Sequence, residues 1–367
     1  MSIHTDLGIR PLINASATLT RLGGSVMPPE VLEAMQDAAR YHIELDDMQR
    51  RVGAQIAKLT HNEAAFVATG ASAGITLAAA ALMAGKNPAF IQQLPDTTGM
   101  PKTEFIVHKS HRNGYDHAIR AAGGKVVEIG TALHTHEWEL GHAINERTAA
   151  VFWFQGAMTG IGDLPLAKVI EIAKARGVPV IVDAAAQLPP VENLWKFTQM
   201  GATMAIFSGG KDLRGPQASG LCVGSAELIS AMAMNGSPNH SVGRGMKVGK
   251  EEMAGLLAAV KRYVSLDHEA RLLKDERVVA KWNEALCGIP GVCAERSWPN
   301  EAGQPLPRTR VVFDPPYDRD AIIAKLMAGD PAIAVSPGKA NDIYLNPMSL
   351  EGDEAEIVLN RLIEILS

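Results

Sequence analysis

Residues 206–220 read IFSGGKDLRGPQASG, and the fold is best read outward from this stretch. It sets Lys211 between the pair Gly209-Gly210 and a Gly215-Pro216 turn, directly after the apolar run Thr203–Phe207. A strand that ends in Ser-Gly-Gly-Lys and then turns sharply puts an amine at the end of a sheet. In open α/β sheets, ligands bind at the carboxyl ends of the strands. Taken alone, Lys211 is equally well a solvated loop residue, so its meaning depends on what lies upstream.

Upstream the chain alternates. Short apolar runs at Ala65–Ala68, Glu104–Val107, Lys125–Ile129, Ala149–Phe154, Val178–Val182, Thr203–Phe207 and Gly220–Val223 read as strands. Helical stretches lie between most of them. One runs from Pro28-Pro29 to about Tyr41, with proline at the first turn. Another, Leu45 to Leu59, carries Leu45, Met48, Val52, Ile56 and Leu59 at helical spacing. Continuously apolar strands alternating with helices predict an α/β fold with a mostly parallel seven-stranded sheet covered on both faces. After a Gly-, Ser-, Pro- and Asn-rich stretch at 234–249, a helical run is expected from Lys250 to about Leu286. Short strands and helices then mix to the end of the chain, as in a smaller α+β domain. The expected organisation is therefore an N-terminal segment (1–29), a large α/β domain (30–240), and a linking helix with a small C-terminal α+β domain (241–367). The stretch Pro299 to Pro307 reads as a surface insertion.

Composition excludes several classes. The 367 residues are 47% hydrophobic and 20% charged, an ordinary globular balance. A net charge of −5 without a basic stripe argues against a nucleic-acid partner. The three cysteines, Cys222, Cys287 and Cys293, make no CxxC pair, which argues against a disulfide framework or thiolate zinc site and for a reducing cytoplasm. The first residues, MSIHTDLGIRPLIN, do not read as a signal peptide, and the apolar stretch Ala73 to Ala84 suits a core helix rather than a membrane span. Histidines cluster at His108, His111 and His117 and at His134, His136 and His142. HEXXH spacing is absent, so no metal is expected.

The strand ends carry the chemistry. After Ala65–Ala68 come Thr69, Gly70, Ala71 and Ser72, leading into a helix. Small residues at a helix N-terminus let backbone N–H groups approach a phosphate, although the same pattern serves an ordinary helix start. Asp183 ends the strand Val178–Val182, where an acid is costly unless paired. Gln187 follows four residues on. His111 follows Glu104–Val107 and suits the face of an aromatic ring. A phosphate cradle, a strand-end acid and a strand-end lysine, in that order on one sheet, are what pyridoxal 5'-phosphate requires. It needs an amine for its aldehyde, a carboxylate for its ring nitrogen and anion binding for its phosphate.

At these residues the chain resembles fold-type I pyridoxal-phosphate enzymes of the selenocysteine-synthase-like branch, within it the D-glucosaminate-6-phosphate ammonia-lyase group. The motifs are INASATLTRLGGSVMPPEVLEAM (Ile13–Met35), ATGASAGI (Ala68–Ile75), SHRNGYDHAIRAAGG (Ser110–Gly124), VDAAAQLPP (Val182–Pro190) and FSGGKDLRGPQASG (Phe207–Gly220). The resemblance implies that Lys211 binds the cofactor covalently, Asp183 pairs with the pyridine nitrogen, Gln187 lies near the ring hydroxyl and His111 stacks on the ring. Gly70, Ala71 and Ser72 would hold the phosphate, helped by Ser208. It also implies a homodimer or higher homo-oligomer, with Asn14 to Arg21 lying over a cofactor. The expected reaction is α,β-elimination from a 2-amino-3-hydroxy acid, most plainly an amino-sugar acid, giving a 2-keto acid and ammonia. Arg21, Arg112, Arg308 and Arg310 are the candidates for the substrate carboxylate, and Arg214, Arg244 and Lys247 for a substrate phosphate. Alternatives are the seryl-tRNA selenium transferase reaction and racemase, β-lyase or aldolase chemistry. Against the transferase, the chain begins almost at INASATLT, which is read as leaving out a tRNA-binding domain.

Overall fold

The computed structural model describes residues 3–156, 159–160 and 162–367. Met27–Leu266 form one compact unit, and the chain up to Val26 together with Asp267–Ser367 forms a second. The strands of the first unit are β1 (Ala64–Ala68), β2 (Glu104–His108), β3 (Lys125–Ile129), β4 (Thr148–Phe154), β5 (Val180–Asp183), β6 (Met204–Ser208) and β7 (Gly220–Gly224). They form one sheet in the order β1-β7-β6-β5-β4-β2-β3. Strand β7 is antiparallel to both neighbours, and every other pairing is parallel. The C-terminal ends of β1, β2, β5 and β6 therefore share one edge, and β7 enters the sheet at that same edge.

Apolar residues on the central strands divide between two cores with the period of two that a pleated strand imposes. Val151, Trp153, Val180 and Val182 belong to one core, and Phe152, Phe154 and Ile181 to the other. The first core is closed by helices Leu45–Leu59, Leu166–Lys174 and Lys250–Ser265, through residues such as Ile56, Val169 and Leu256. The second is closed by helices Ala71–Ala84 and Ala226–Asn235, through Ile75, Leu77 and Met232. The Ala-rich helix is a core helix, and among the described residues no helix is long and apolar enough to cross a membrane.

The second unit holds a four-stranded antiparallel sheet, in the order Ser336–Pro337, Asp342–Leu345, Arg308–Phe313, Val292–Ser297. Leu12–Asn14 pairs in parallel with Ala332–Ala334 and brings Ile13 into a core with Trp282, Phe313 and Leu362. Two local expectations change. The single helix expected from Lys250 to Leu286 is two helices, Lys250–Ser265 and His268–Cys287, because Asp267 caps the second by accepting from the Ala270 N–H at 2.9 Å. The stretch expected as a surface insertion after Pro299 instead buries Asn300 and Gln304, whose side chains bond each other at 2.7 Å.

One close approach organises the functional edge. A Cβ on Gly220, the first residue of β7, would lie 2.3 Å from the Gly70 carbonyl carbon and 2.7 Å from the Ala71 nitrogen. The turn after β1 therefore seats directly on the entry of β7. Both contacts are backbone, so a side chain at 220 must displace the turn. Gly220→Ala is expected to cost about 2 kcal/mol, in the range of overpacking. Gly245→Ala, where a Cβ meets nothing within 4 Å, should stay within about 0.5 kcal/mol. Urea unfolding midpoints check the pair, and equal midpoints would refute the account.

Candidate active site

Lys211 is half-buried in the loop between β6 and β7. The Gly209 N–H bonds the Ser219 carbonyl at 2.9 Å, the Gly215 N–H bonds the Gly209 carbonyl at 2.8 Å, and the Arg214 N–H bonds the Lys211 carbonyl at 2.9 Å. Only glycine fits at 210, where a Cβ would fall 2.3 Å from Gln217 Oε1 and 2.8 Å from its Cα. Arg214 adopts a left-handed φ of 57°, a conformation that costs a non-glycine residue about 1 kcal/mol or more and recurs at functional loops. Beneath the loop Leu213 is fully buried, and the buried Asp212 carboxylate accepts the Tyr263 hydroxyl at 2.6 Å. The lysine thus stands on a backbone pinned from both sides.

Asp183 closes β5 and is buried, with Oδ1 accepting the Ala185 N–H at 3.0 Å. Burial pushes its carboxyl above the usual range, opposed by the Ala185 N–H and by the positive charge of Lys211. The acid and the amine, distant in sequence, therefore interact. The Ser208 N–H donates to the Ala185 carbonyl at 3.3 Å, and Ser208 pairs with Gly220, which packs on Gly70 and Ala71. Asp183, Ser208, Lys211 and the Gly70 turn are in this way assembled along one edge. Gly70, with φ of 132°, is the N-cap of helix Ala71–Ala84, and Ser72 is exposed in its first turn. The first N–H groups of that turn have no carbonyl within the helix to bond. Gln187 is buried nearby, with its N–H on the Ala184 carbonyl at 3.0 Å and its own carbonyl accepting from Asn193 Nδ2 at 2.6 Å.

His111 lies beyond the end of β2, in the short helical turn Lys109–His111. Its imidazole is fully enclosed. It stands edge-on to Trp153 at 4.5 Å, stacks on His108 at 4.7 Å and places Nε2 3.1 Å from Asp163 Oδ2. Asp163 was not legible as a site residue. Asp183 is the last residue of its strand, whereas Asp163 stands well past Phe154, the last residue of β4, in the chain. His108, read from sequence only as part of a histidine cluster, is the second buried imidazole of this group. Both its ring nitrogens lack a partner among the described residues.

The four arginines differ. Arg112 bonds Asp116, just before the helix His117–Ala121, and Glu128 on β3. Arg310 bonds Asp342 at 2.6 Å and Glu295 at 2.9 Å. Arg308 is buried, with its guanidinium over the Tyr344 ring at 4.3 Å and Nη1 on Glu301 at 2.7 Å, while Nε has no partner among the described residues. Arg21 is exposed. Arg308, Arg310 and Arg21 belong to the second unit and Arg112 to the first.

Residues 12–287 match the family model described as L-seryl-tRNA selenium transferase (SelA), and the chain belongs to this family of fold-type I, pyridoxal-phosphate-dependent enzymes. It is 33% identical to a 5'-C-glycyluridine monooxygenase-decarboxylase from Streptomyces sp, over 99% of this chain and 92% of the relative. It is 31% identical to the D-glucosaminate-6-phosphate ammonia lyase of Salmonella typhimurium (strain 14028s / SGSC 2262), over 99% and 98%. A solved structure of D-glucosaminate-6-phosphate ammonia-lyase superposes with a TM-score of 0.87 at 30% identity, covering 100% of this chain and 98% of that one. The cysteine desulfurase CsdA from Escherichia coli, at 18% identity, TM-score 0.59 and coverage of 97% and 96%, shares the fold.

Burial pushes the His108 pKa down to about 4, with the nearby His111 acting in the same direction against the pull of Asp163 and Glu139. A histidine whose folded pKa lies below its unfolded value binds protons preferentially when unfolded. Stability is then full above about pH 6.5 and is lost as the pH falls toward 4. The shift corresponds to about 3 kcal/mol across that window. His108→Phe removes the titration and should flatten the fall in Tm between pH 6.5 and 4. An unchanged acid slope would refute this role.

Proposed function

We propose that this chain is a pyridoxal-phosphate-dependent ammonia-lyase that eliminates water from a 2-amino-3-hydroxy acid, with an amino-sugar acid such as D-glucosaminate 6-phosphate as substrate. The observation that carries the reading is the buried Asp183 carboxylate within electrostatic reach of Lys211, at the sheet edge where the Gly70 turn seats on Gly220. The residues fit the cofactor. Asp183 is a buried acid for which a protonated ring nitrogen is the natural partner, and its charge would keep that nitrogen protonated. Gly70, Ala71 and Ser72 offer the N–H groups of a helix start to a phosphate, and Ser208 adds a hydroxyl beside them. Gln187 would lie by the ring hydroxyl and His111 by the ring.

Pyridoxal phosphate, when bound, supplies an electron sink for the pair released at the substrate Cα. Lys211 would hold the cofactor through its amine, and the same amine, when free, would serve as the base for the substrate Cα proton. A guanidinium fork suits a carboxylate best, and since Arg112 and Arg310 each already hold two carboxylates, Arg21 and Arg308 stay as the candidates for the substrate carboxylate. A homodimer or larger homo-oligomer completes the proposal.

The 33% identity to a monooxygenase-decarboxylase supports a second reading, in which the carboxylate of an α-amino acid leaves as carbon dioxide. A panel of amino acids and amino-sugar acids, with and without phosphate, separates the two. Keto acid and ammonia are expected from a hydroxy-amino acid, whereas oxygen-dependent carbon dioxide release would favour the second reading. Lys211→Ala should abolish the visible absorption of covalently bound cofactor and lower kcat at least about a thousandfold, about 4 kcal/mol of barrier. Normal turnover by that variant would refute the assignment.

A further inference from the structure

Asp163 is the most heavily bonded carboxylate near the candidate site. Its side chain is 1% exposed. It accepts the Ser110 hydroxyl at 2.8 Å on each oxygen, the Gly160 N–H at 2.6 Å, His111 Nε2 at 3.1 Å and the Thr135 hydroxyl at 3.4 Å. Burial opposes its ionisation, but the Ser110 hydroxyl, the Gly160 N–H and the two histidines outweigh it and hold the carboxyl below its usual range. An ionised carboxylate only accepts, so it bonds Nε2 only where Nε2 carries the proton. Burial meanwhile keeps His111 neutral, outweighing the attraction of Asp163. The one proton of the neutral ring is then on Nε2. Nδ1 is left as a lone-pair acceptor, buried and without a partner among the described residues.

We propose that Asp163 is a positioning residue for His111, fixing both the plane of the imidazole and its Nε2–H tautomer, so that Nδ1 is the unprotonated atom of the ring. This rests on the reading above in placing His111 beside the cofactor. A neutral ring of fixed tautomer next to a cationic cofactor ring avoids like-charge repulsion and offers an acceptor in one direction. The competing role is a staple, in which Asp163 only ties together the segments that carry Ser110, Thr135 and Gly160.

The two roles separate by nuclear magnetic resonance of histidine-labelled holoenzyme, with His111 assigned through His111→Gln. Positioning predicts a neutral Nε2–H ring in the wild type near pH 7.5, with a slowly exchanging, downfield Nε2 proton. Asp163→Asn should shift that proton upfield and speed its exchange with water at least about tenfold, as loss of a charge-assisted hydrogen bond implies. The double variant Ser110→Ala with Thr135→Val weakens the staple but keeps the imidazole on Asp163, so its His111 signal should match the wild type. A wild-type ring that reads Nδ1–H or charged overturns the proposal, as does a double variant that changes the tautomer or an Asp163→Asn variant with an unchanged Nε2 proton. The wild-type and double-variant readings decide even where Asp163→Asn does not fold. Cofactor attachment is read separately by visible absorption, and the tautomer can also be read in protein carrying no cofactor, so failure of the lyase reading and failure of this one are distinguishable.

Discussion

A carboxylate buried at the end of a strand is the constraint on which the candidate site depends. Removing Asp183 from water disfavours its charge, and the Ala185 N–H and the field of Lys211 oppose that cost. An uncompensated buried charge is among the costliest features a protein can carry. The arrangement persists because the surrounding core is closed on both faces of the sheet and because the loop holding Lys211 is pinned by its own backbone bonds. The strain at Arg214 belongs to the same loop, and its anchor is the buried Tyr263–Asp212 hydrogen bond to the helix Lys250–Ser265.

Strand direction converts this local chemistry into a site. Since β7 runs against its neighbours, it enters the sheet where β1, β2, β5 and β6 end, and its first residue packs on the turn after β1. That contact sets the N-terminus of helix Ala71–Ala84 beside Ser208 and the lysine loop. A second buried carboxylate, Asp163, organises the neighbouring end of β2 through His111 and Ser110. The edge thus carries two acids of opposite character: burial holds Asp183 above the usual carboxyl range against the charge of Lys211, while donors hold Asp163 below it, beside an imidazole.

Much of this was legible locally. The seven apolar runs mark the seven strands of the large sheet, with ends displaced by a residue or two, because buried parallel strands need continuous apolar sequence. The position of Gly70, Asp183, Ser208 and Lys211 at this edge was legible because Asp183 and Ser208 are the last residues of β5 and β6, and Gly70 and Lys211 follow β1 and β6 closely in the chain. Asp163 was not, since it stands well past the last residue of β4 in the chain, and neither was the break at Asp267, where one capping side chain divides an otherwise helical run. The partners of Arg112 and Arg310 were also hidden, because Glu128 and Asp342 are brought to them by pairing across strands rather than by sequence spacing.

The sequence by itself determined the α/β class, the positions of the strands and the residue types waiting at their ends, because periodicity and turn chemistry are local properties. Only the tertiary structure decided which of those ends meet. Burial sets the ionisation tendencies of Asp183, His108 and His111, while at Asp163 the donors brought to it outweigh burial, and both depend on the whole sheet and the helices that close it. Lys211 is the clearest case. Its neighbours in the chain define the turn, but the field of Asp183 reaches it only because β5 and β6 lie side by side.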